Sequence, residues 1–272
     1  WMAANNGIPP SLEIKSIAIS GNNIFAGSTD GVYLSSNSGN SWSLVNTGLT
    51  STLIKSLKVN GTTLFAGTSG GVFSTSNNGN NWNSVNTGII NTKVTSLASN
   101  GSDIVAGTKG SGIFMTNNNG NTWNSISTAL PNNVSITALS YSGSNIFACT
   151  ENDGVFLSSN NGSSWSGVNS GLASSHVFSI AITGNNIFVG TDSGVYLSTN
   201  NGSSWTALNN GLPSSITIQS LTISAGVVFA GSVNNNVFIF CYNYRNLQDS
   251  VLLTFVCVVI LYSNIKLLRY FI

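Results

Sequence analysis

The chain has 272 residues, enough for one large β domain or two small ones, with a formal net charge of +1 and only 6% charged residues. So little charge, with no basic stretch among its repeats, argues against a nucleic-acid partner, because phosphate binding needs clustered Lys and Arg. Three scattered cysteines, Cys149, Cys241 and Cys257, form neither a metal motif nor a disulfide framework.

From the N-terminus, residues 1–8 (WMAANNGI) align with residues 42–49 (WSLVNTGL), so the chain opens on the last strand of a repeating unit. Short strands are then expected at 16–19, 24–28, 32–35 and 42–46. Each is rich in β-branched and aromatic residues and bounded by Gly, Asn and Ser, which is the strand signature. The same four runs return along the chain, and Trp1, Trp42, Trp82, Trp123, Trp165 and Trp205 mark a period of 40 to 42 residues. Four antiparallel strands per such period is the dimension of a β-propeller blade. A β-solenoid is the alternative, but its turns are shorter and carry fewer strands. Cys149 stands where sister repeats carry Gly and reads as a small buried thiol.

The expected fold is therefore an all-β propeller of about six repeats over residues 1–240. A sixth blade has three strands, at 220–223, 228–232 and 237–240, after which Phe240 stands where the other repeats carry Ser or Thr. Two readings compete: residues 1–5 supply the missing outer strand and close a six-bladed ring, or the chain is a fragment of a larger propeller. The tail, residues 241–272, differs in composition. Its apolar run, 251–262, is 12 residues, short of the roughly 20 that span a bilayer. With Lys266 and Arg269 beside it the tail reads as a weak membrane segment, or as a decayed last blade or shifted reading frame.

Between the third and fourth strands a box recurs: Ser35, Asn37, Gly39, Trp42; Thr75, Asn77, Gly79, Trp82; Thr116, Asn118, Gly120, Trp123; Ser158, Asn160, Gly162, Trp165; and Ser198, Asn200, Gly202, Trp205. The Asn side chain is expected to accept from a backbone N–H two residues on, as in an Asx-turn. Gly supplies positive φ, Ser or Thr adds a local bond, and Trp buries apolar area with its indole N–H free for a carbonyl. A calcium loop is disfavoured, since calcium wants carboxylates and these loops offer amides and hydroxyls. No metal or cofactor is expected.

The pattern S/T-x-N-x-G-x-x-W resembles the Asp-box, or bacterial neuraminidase repeat, with Asn replacing the usual Asp. The resemblance covers residues 1–240 and implies a sialidase-like propeller fold in which the box is a peripheral folding element. Sialidases hold the substrate carboxylate with an arginine cluster; here the only arginines are Arg245 and Arg269, and residues 1–240 have none. Sialidase chemistry is thereby excluded.

A paired-carboxylate glycosidase is the alternative enzyme reading. Asp30, Asp153 and Asp192 lie in equivalent turns between second and third strands, on one face, with Lys109 in a fourth such turn and His176 in a blade connection. Asp before Gly is also ordinary turn chemistry, and no nucleophile can be assigned to the lone histidine. No catalytic residue is assigned. The expectation is a non-catalytic binding or scaffold module of an exported or cell-surface protein, with Asp30, Lys109, Asp153, His176 and Asp192 on the face toward a neutral glycan or protein partner. A purely structural repeat segment is the third reading.

Overall fold

The computed structural model of the protein describes residues 4–234 and 236–241. It is an all-β propeller of six antiparallel blades, with no helix among the described residues. Blade 1 holds β1 (Ile14–Ser20), β2 (Asn23–Ser28), β3 (Val32–Ser35) and β4 (Ser43–Leu44). Blade 2 holds β5 (Ile54–Asn60), β6 (Thr63–Thr68), β7 (Gly71–Thr75) and β8 (Asn83–Ser84); blade 3 holds β9 (Val94–Ser99), β10 (Ile104–Thr108), β11 (Ile113–Thr116) and β12 (Asn124–Ser125). Blade 4 holds β13 (Ile136–Ser142), β14 (Asn145–Thr150), β15 (Val155–Ser158) and β16 (Ser166–Gly167). Blade 5 holds β17 (Val177–Thr183), β18 (Asn186–Thr191), β19 (Gly194–Ser198) and β20 (Thr206–Ala207). The described strands of blade 6 are β21 (Ile218–Ser224), β22 (Val227–Ser232) and β23 (Val237–Cys241).

Every strand expected between residues 16 and 240 is present, though the fourth of each complete blade is only two residues long; Ala4 and Asn5, expected in an opening strand, are in none. Its flanking amides are engaged elsewhere: the Trp82 N–H, for example, bonds the Thr47 carbonyl of the preceding blade at 2.8 Å. The second strand is the most buried because a neighbouring blade covers each of its faces, which is why it is apolar without alternation. Phe65, Phe147 and Phe188 there are fully buried. The first strand of each blade packs on the first strands of its neighbours. Hydroxyls stitch these inner edges together: Ser16, Ser56 and Ser96 Oγ accept from Leu57, Leu97 and Leu139 N–H at 2.9, 3.1 and 3.0 Å. Ala138 ends that series, and Ser179 Oγ is buried without a hydrogen-bond partner.

The core is a set of junctions rather than one central cluster. Between blades 1 and 2, Phe25 and Val32 meet Ile54, Leu57 and Trp82, and equivalent sets fill the following junctions as far as blade 6. Cys149 belongs to the junction of blades 4 and 5, fully buried, and burial pushes its thiol pKa up. The outer faces of the first and last blades differ. Ile17 is 64% exposed where its counterpart Leu57 is 6%, and Val237 is 46% exposed where Val32 is 0%.

The box holds two hydrogen-bonded layers, and its Asn acts differently from expectation. Asn118 Oδ1 accepts from the Thr122 N–H, four residues on, at 3.0 Å, and from Thr116 Oγ1 at 2.8 Å. The amide two residues after the Asn, that of Gly120, bonds Thr116 Oγ1 instead at 3.0 Å. The reason is conformational: Asn119 and Gly120 both have positive φ, 56° and 86°, which turns the Gly amide inward toward the buried hydroxyl. The indole then crosses to the preceding blade. Nε1 of Trp82, Trp123, Trp165 and Trp205 donates to the Val45, Val85, Ile126 and Val168 carbonyls at 2.8, 2.8, 2.6 and 2.7 Å.

The residues from 242 onward, with the expected apolar tail, lie outside the described residues, as do residues 1–3. Among the described residues no helix is long and apolar enough to cross a membrane. There β23 pairs with β22 alone, so the expected addition of residues 1–5 to blade 6 is not made within them.

Candidate ligand-binding face

The turns between second and third strands are built by one device. A buried hydroxyl at the end of the second strand, Ser28, Thr68, Thr150 or Thr191, donates to the carbonyl of the turn's Gly31, Gly71, Gly154 or Gly194 at 2.8–3.0 Å. The Asn two residues beyond the fourth strand reaches under the same turn. Asn46, Asn86, Asn169 and Asn209 Oδ1 accept from Val32, Val72, Val155 and Val195 N–H at 2.9, 2.7, 2.7 and 2.9 Å. Close approach is what makes Gly obligatory there: a Cβ on Gly194 would stand 2.2 Å from Asn209 Oδ1. The Asn residues that open the Asn-Thr-Gly, Asn-Ser-Gly and Asn-Asn-Gly blade connections are thus spent on internal bonds. Their recurrence ahead of Thr-Gly, Ser-Gly or Asn-Gly was the sequence signal for this role.

With the backbone held this way, the turn side chains project outward. Asp30 lies in blade 1, its carbonyl bonded by Asn46 Nδ2 at 2.8 Å and its carboxylate 3.5 Å from the Tyr33 hydroxyl. Burial and the Asp30 charge raise the Tyr33 pKa. Lys109 lies in blade 3, its carbonyl bonded by Asn91 Nδ2 at 2.7 Å. Asp153 lies in blade 4, its N–H bonded to Thr150 Oγ1 at 2.9 Å. These three are placed by their own turns and make no side-chain bond to one another.

His176 and Asp192 do meet. His176 Nδ1 is 3.0 Å from Asp192 Oδ2, and Nε2 is 3.1 Å from Asn152 Oδ1, so the ring spans from blade 4 to blade 5. The loop carrying it is anchored by Ser174 Oγ, which accepts from the His176 N–H at 3.0 Å, and by the Ser175 carbonyl, which accepts from the Gly154 N–H at 2.9 Å. Partial burial pushes the Asp192 pKa up, but hydrogen bonds from Ser174 and Ser193 together with His176 outweigh it and hold the carboxyl below its usual value. An imidazolium satisfies both facing oxygens; a neutral ring does so once Asn152 turns its amide to present Nδ2. Asn152, Ser174 and Ser193 were not singled out in the sequence, because polar loop residues without periodicity carry no signal of their own.

The arrangement offers a half-exposed imidazole, a carboxylate, an amide and hydroxyls around one blade junction. It can present hydrogen bonds and orient a polar ligand. Among the described residues no three of His, Cys, Asp and Glu gather as a metal site would require.

The sequence matches the family profile of the DUF6242 beta propeller domain over residues 1–89 and 89–236. No curated protein matches it. Among solved structures, the extracellular domain of the putative hybrid two component system BT4673 from B. thetaiotaomicron superposes with a TM-score of 0.74 at 17% identity, over 90% of this chain and 34% of that one. An ancestral GH74 enzyme superposes with a TM-score of 0.70 at 19% identity, over 86% of this chain and 36% of that one. YCF48 bound to D1 peptide superposes with a TM-score of 0.64 at 15% identity, over 81% of this chain and 76% of that one. The chain thus spans about a third of the length of the first two, and the likeness is one of fold.

Proposed function

The chain belongs to the DUF6242 β-propeller domain family, and on that premise we propose that it is a non-catalytic binding or scaffold module of an exported or cell-surface protein. Its ligand is a neutral glycan or a polypeptide, held on the face of the second-to-third-strand turns. The observation that carries this reading is the state of the acids there. Asp192 is tied to His176 and Ser193, and Asp30 faces the Tyr33 hydroxyl of its own blade. A glycosidase would need two carboxylates in one cleft, one of them held protonated; Asp192 is pushed the opposite way. A surface of amides and hydroxyls with few charges suits hydroxyl-rich or backbone ligands. Export is supported by the extracellular neighbour from B. thetaiotaomicron. Kinship with Asp-box propellers is supported by the five boxes, each with the same Ser/Thr, Asn and Gly hydrogen bonds.

Calorimetric titration with neutral β-glucan, xyloglucan and mannan oligosaccharides and with an unstructured polar peptide, alongside a reducing-sugar assay, tests the proposal. Saturable binding that His176→Ala weakens at least several-fold, with no sugar released, is the expected result. Sugar release abolished by Asp153→Asn or Asp192→Asn would make the protein a hydrolase. Absence of binding to every probe would leave a purely structural repeat.

A further inference from the structure

We infer that the turn face carries, over blades 2 and 3, a docking site for an acidic polypeptide segment, with a carboxylate seated between Lys93 and Lys109 and an apolar side chain on Ile90. The inference rests on this face being the binding face and names the chemistry of what it takes there. One main-chain bond recurs on the face, from the residue just after a blade's second strand to the residue just before its first. The Ser69 N–H bonds the Leu53 carbonyl at 3.3 Å, Lys109 bonds Lys93 at 2.9 Å, Glu151 bonds Ser135 at 3.0 Å and Val233 bonds Thr217 at 3.3 Å. In blade 5 these two positions hold Asp192 and His176, whose side chains meet at 3.0 Å.

Blade 3 puts lysine at both positions. Like charges on facing strand ends repel, and Lys93 and Lys109 are both exposed. Among the described residues the ion pairs are Lys15–Glu13 and His176–Asp192, so neither lysine has a carboxylate partner. The one acid in residues 54–125 is Asp103, in the β9–β10 hairpin at the opposite end of the blade, 3.3 Å from Asn161 Nδ2. A third cation adds to the field. Thr95 and Thr137 hold the second position of their first strands and donate to the Ile136 and Val177 carbonyls of the following blade. Lys55 holds that position in blade 2, which sets it beside Val94 and so next to Lys93.

Ile90 supplies the apolar half. It is 84% exposed, and the equivalent residues of the other connections are Thr50, Pro131, Ala173 and Pro213, so the repeat has no need of a large apolar side chain there. Its neighbour Ile89 is buried and does the packing for the loop. One side chain then fixes the loop to both lysines. Asn91 Oδ1 accepts from the Lys93 N–H at 2.9 Å, while Nδ2 donates to the Lys109 carbonyl at 2.7 Å and to Ser111 Oγ at 3.2 Å. The patch is thus ordered before a ligand arrives, which lowers the entropy lost on binding. A carboxylate between the two ammonium groups gains charge-assisted bonds, and an apolar neighbour removes Ile90 from water. A small inorganic anion would leave Ile90 exposed, and a neutral chain would leave the lysines unpaired; an acidic peptide with an apolar residue satisfies both.

The test titrates the full chain calorimetrically at low salt with the peptide Ser-Gly-Glu-Leu-Glu-Gly-Ser, its Gln-Leu-Gln counterpart and its Glu-Gly-Glu counterpart. The first should bind about three- to tenfold more tightly than either of the others. Lys93→Gln with Lys109→Gln should erase the preference for Glu, and Ile90→Ser the preference for Leu. Salt at about 1 M, where the Debye length is about 3 Å, should erase only the preference for Glu. Equal binding of the three peptides, or preferences that survive these substitutions, would overturn the inference. Tighter binding of oligogalacturonate than of any peptide would give the site to an acidic glycan and overturn it as well. If these probes fail while neutral oligosaccharides bind and His176→Ala weakens them, the docking site falls and the binding face stands; if nothing binds, both fall. Lys109→Glu checks the unpaired charge without a ligand, since it rebuilds in blade 3 the pairing of blade 5. It should raise Tm by about 1 to 3 °C at low salt while abolishing the preference for Glu. A lowered Tm would mean that the lysines do not repel, and would overturn the inference too.

Discussion

The rim around Trp123 and the turns around His176 lie in one propeller and follow opposite rules. At the rim, Thr116, Asn118, Gly120 and Trp123 repeat bonds that four other boxes also make, within a few tenths of an ångström. At the turns, only the backbone is uniform. The side chains above it are Asp30 in one blade, Lys109 in another and the His176–Asp192–Asn152 group between two more. Selection for a fold acts on what is repeated, since each box must latch one blade to the next. A repeated bond therefore reads as architecture, and a unique cluster over an identical backbone is where binding specificity has room to arise.

The largest effect expected from this contrast lies at the rim. Trp123→Ala removes a buried indole and its bond to Val85 and should cost about 3 to 5 kcal/mol in urea melts. A loss below about 1 kcal/mol would mean that the box is not a latch. Trp42 makes the same bond but is only half-buried, so Trp42→Ala should cost less, about 1 to 3 kcal/mol. If the two losses were equal, burial would not be the source of the effect.

Asn86→Ala should follow, at about 1 to 3 kcal/mol, because it strands the buried Val72 N–H without an acceptor. Asn86→Asp, which keeps the accepting oxygen, should recover most of that loss. The smallest effect is expected at the face. A carboxyl whose pKa is lowered by folding adds stability above its unfolded pKa, and that stability is lost as pH falls through the folded value. Asp192→Asn should accordingly cost under about 1 kcal/mol at pH 7, given its exposure. The difference from the parent should shrink on acidification and vanish only below the folded-state value, which lies under the ordinary carboxyl range. A difference that grew on acidification would reverse the assignment of its hydrogen bonds.

Much of this was legible before any coordinates. Strand positions followed from alternating short apolar runs and Gly/Asn turns, and blade length followed from tryptophan spacing, because a period of one blade length leaves few architectures. The box was legible as a clasp. Its Asn was assigned the wrong amide, since consecutive positive φ values at Asn119 and Gly120 depend on how the whole hairpin closes. His176 and Asp192 were both named, but their contact was not, because the residues are joined only by the approach of blades 4 and 5.

The sequence by itself determined the repeated parts: strand, turn, box and the length of a blade, all set by local propensity and a period that reports itself many times over. The tertiary structure alone decided which blade receives each indole, which Asn is consumed under a turn, and which polar side chains meet across a junction. Those outcomes depend on the spacing of one blade against the next, a distance that no single repeat contains.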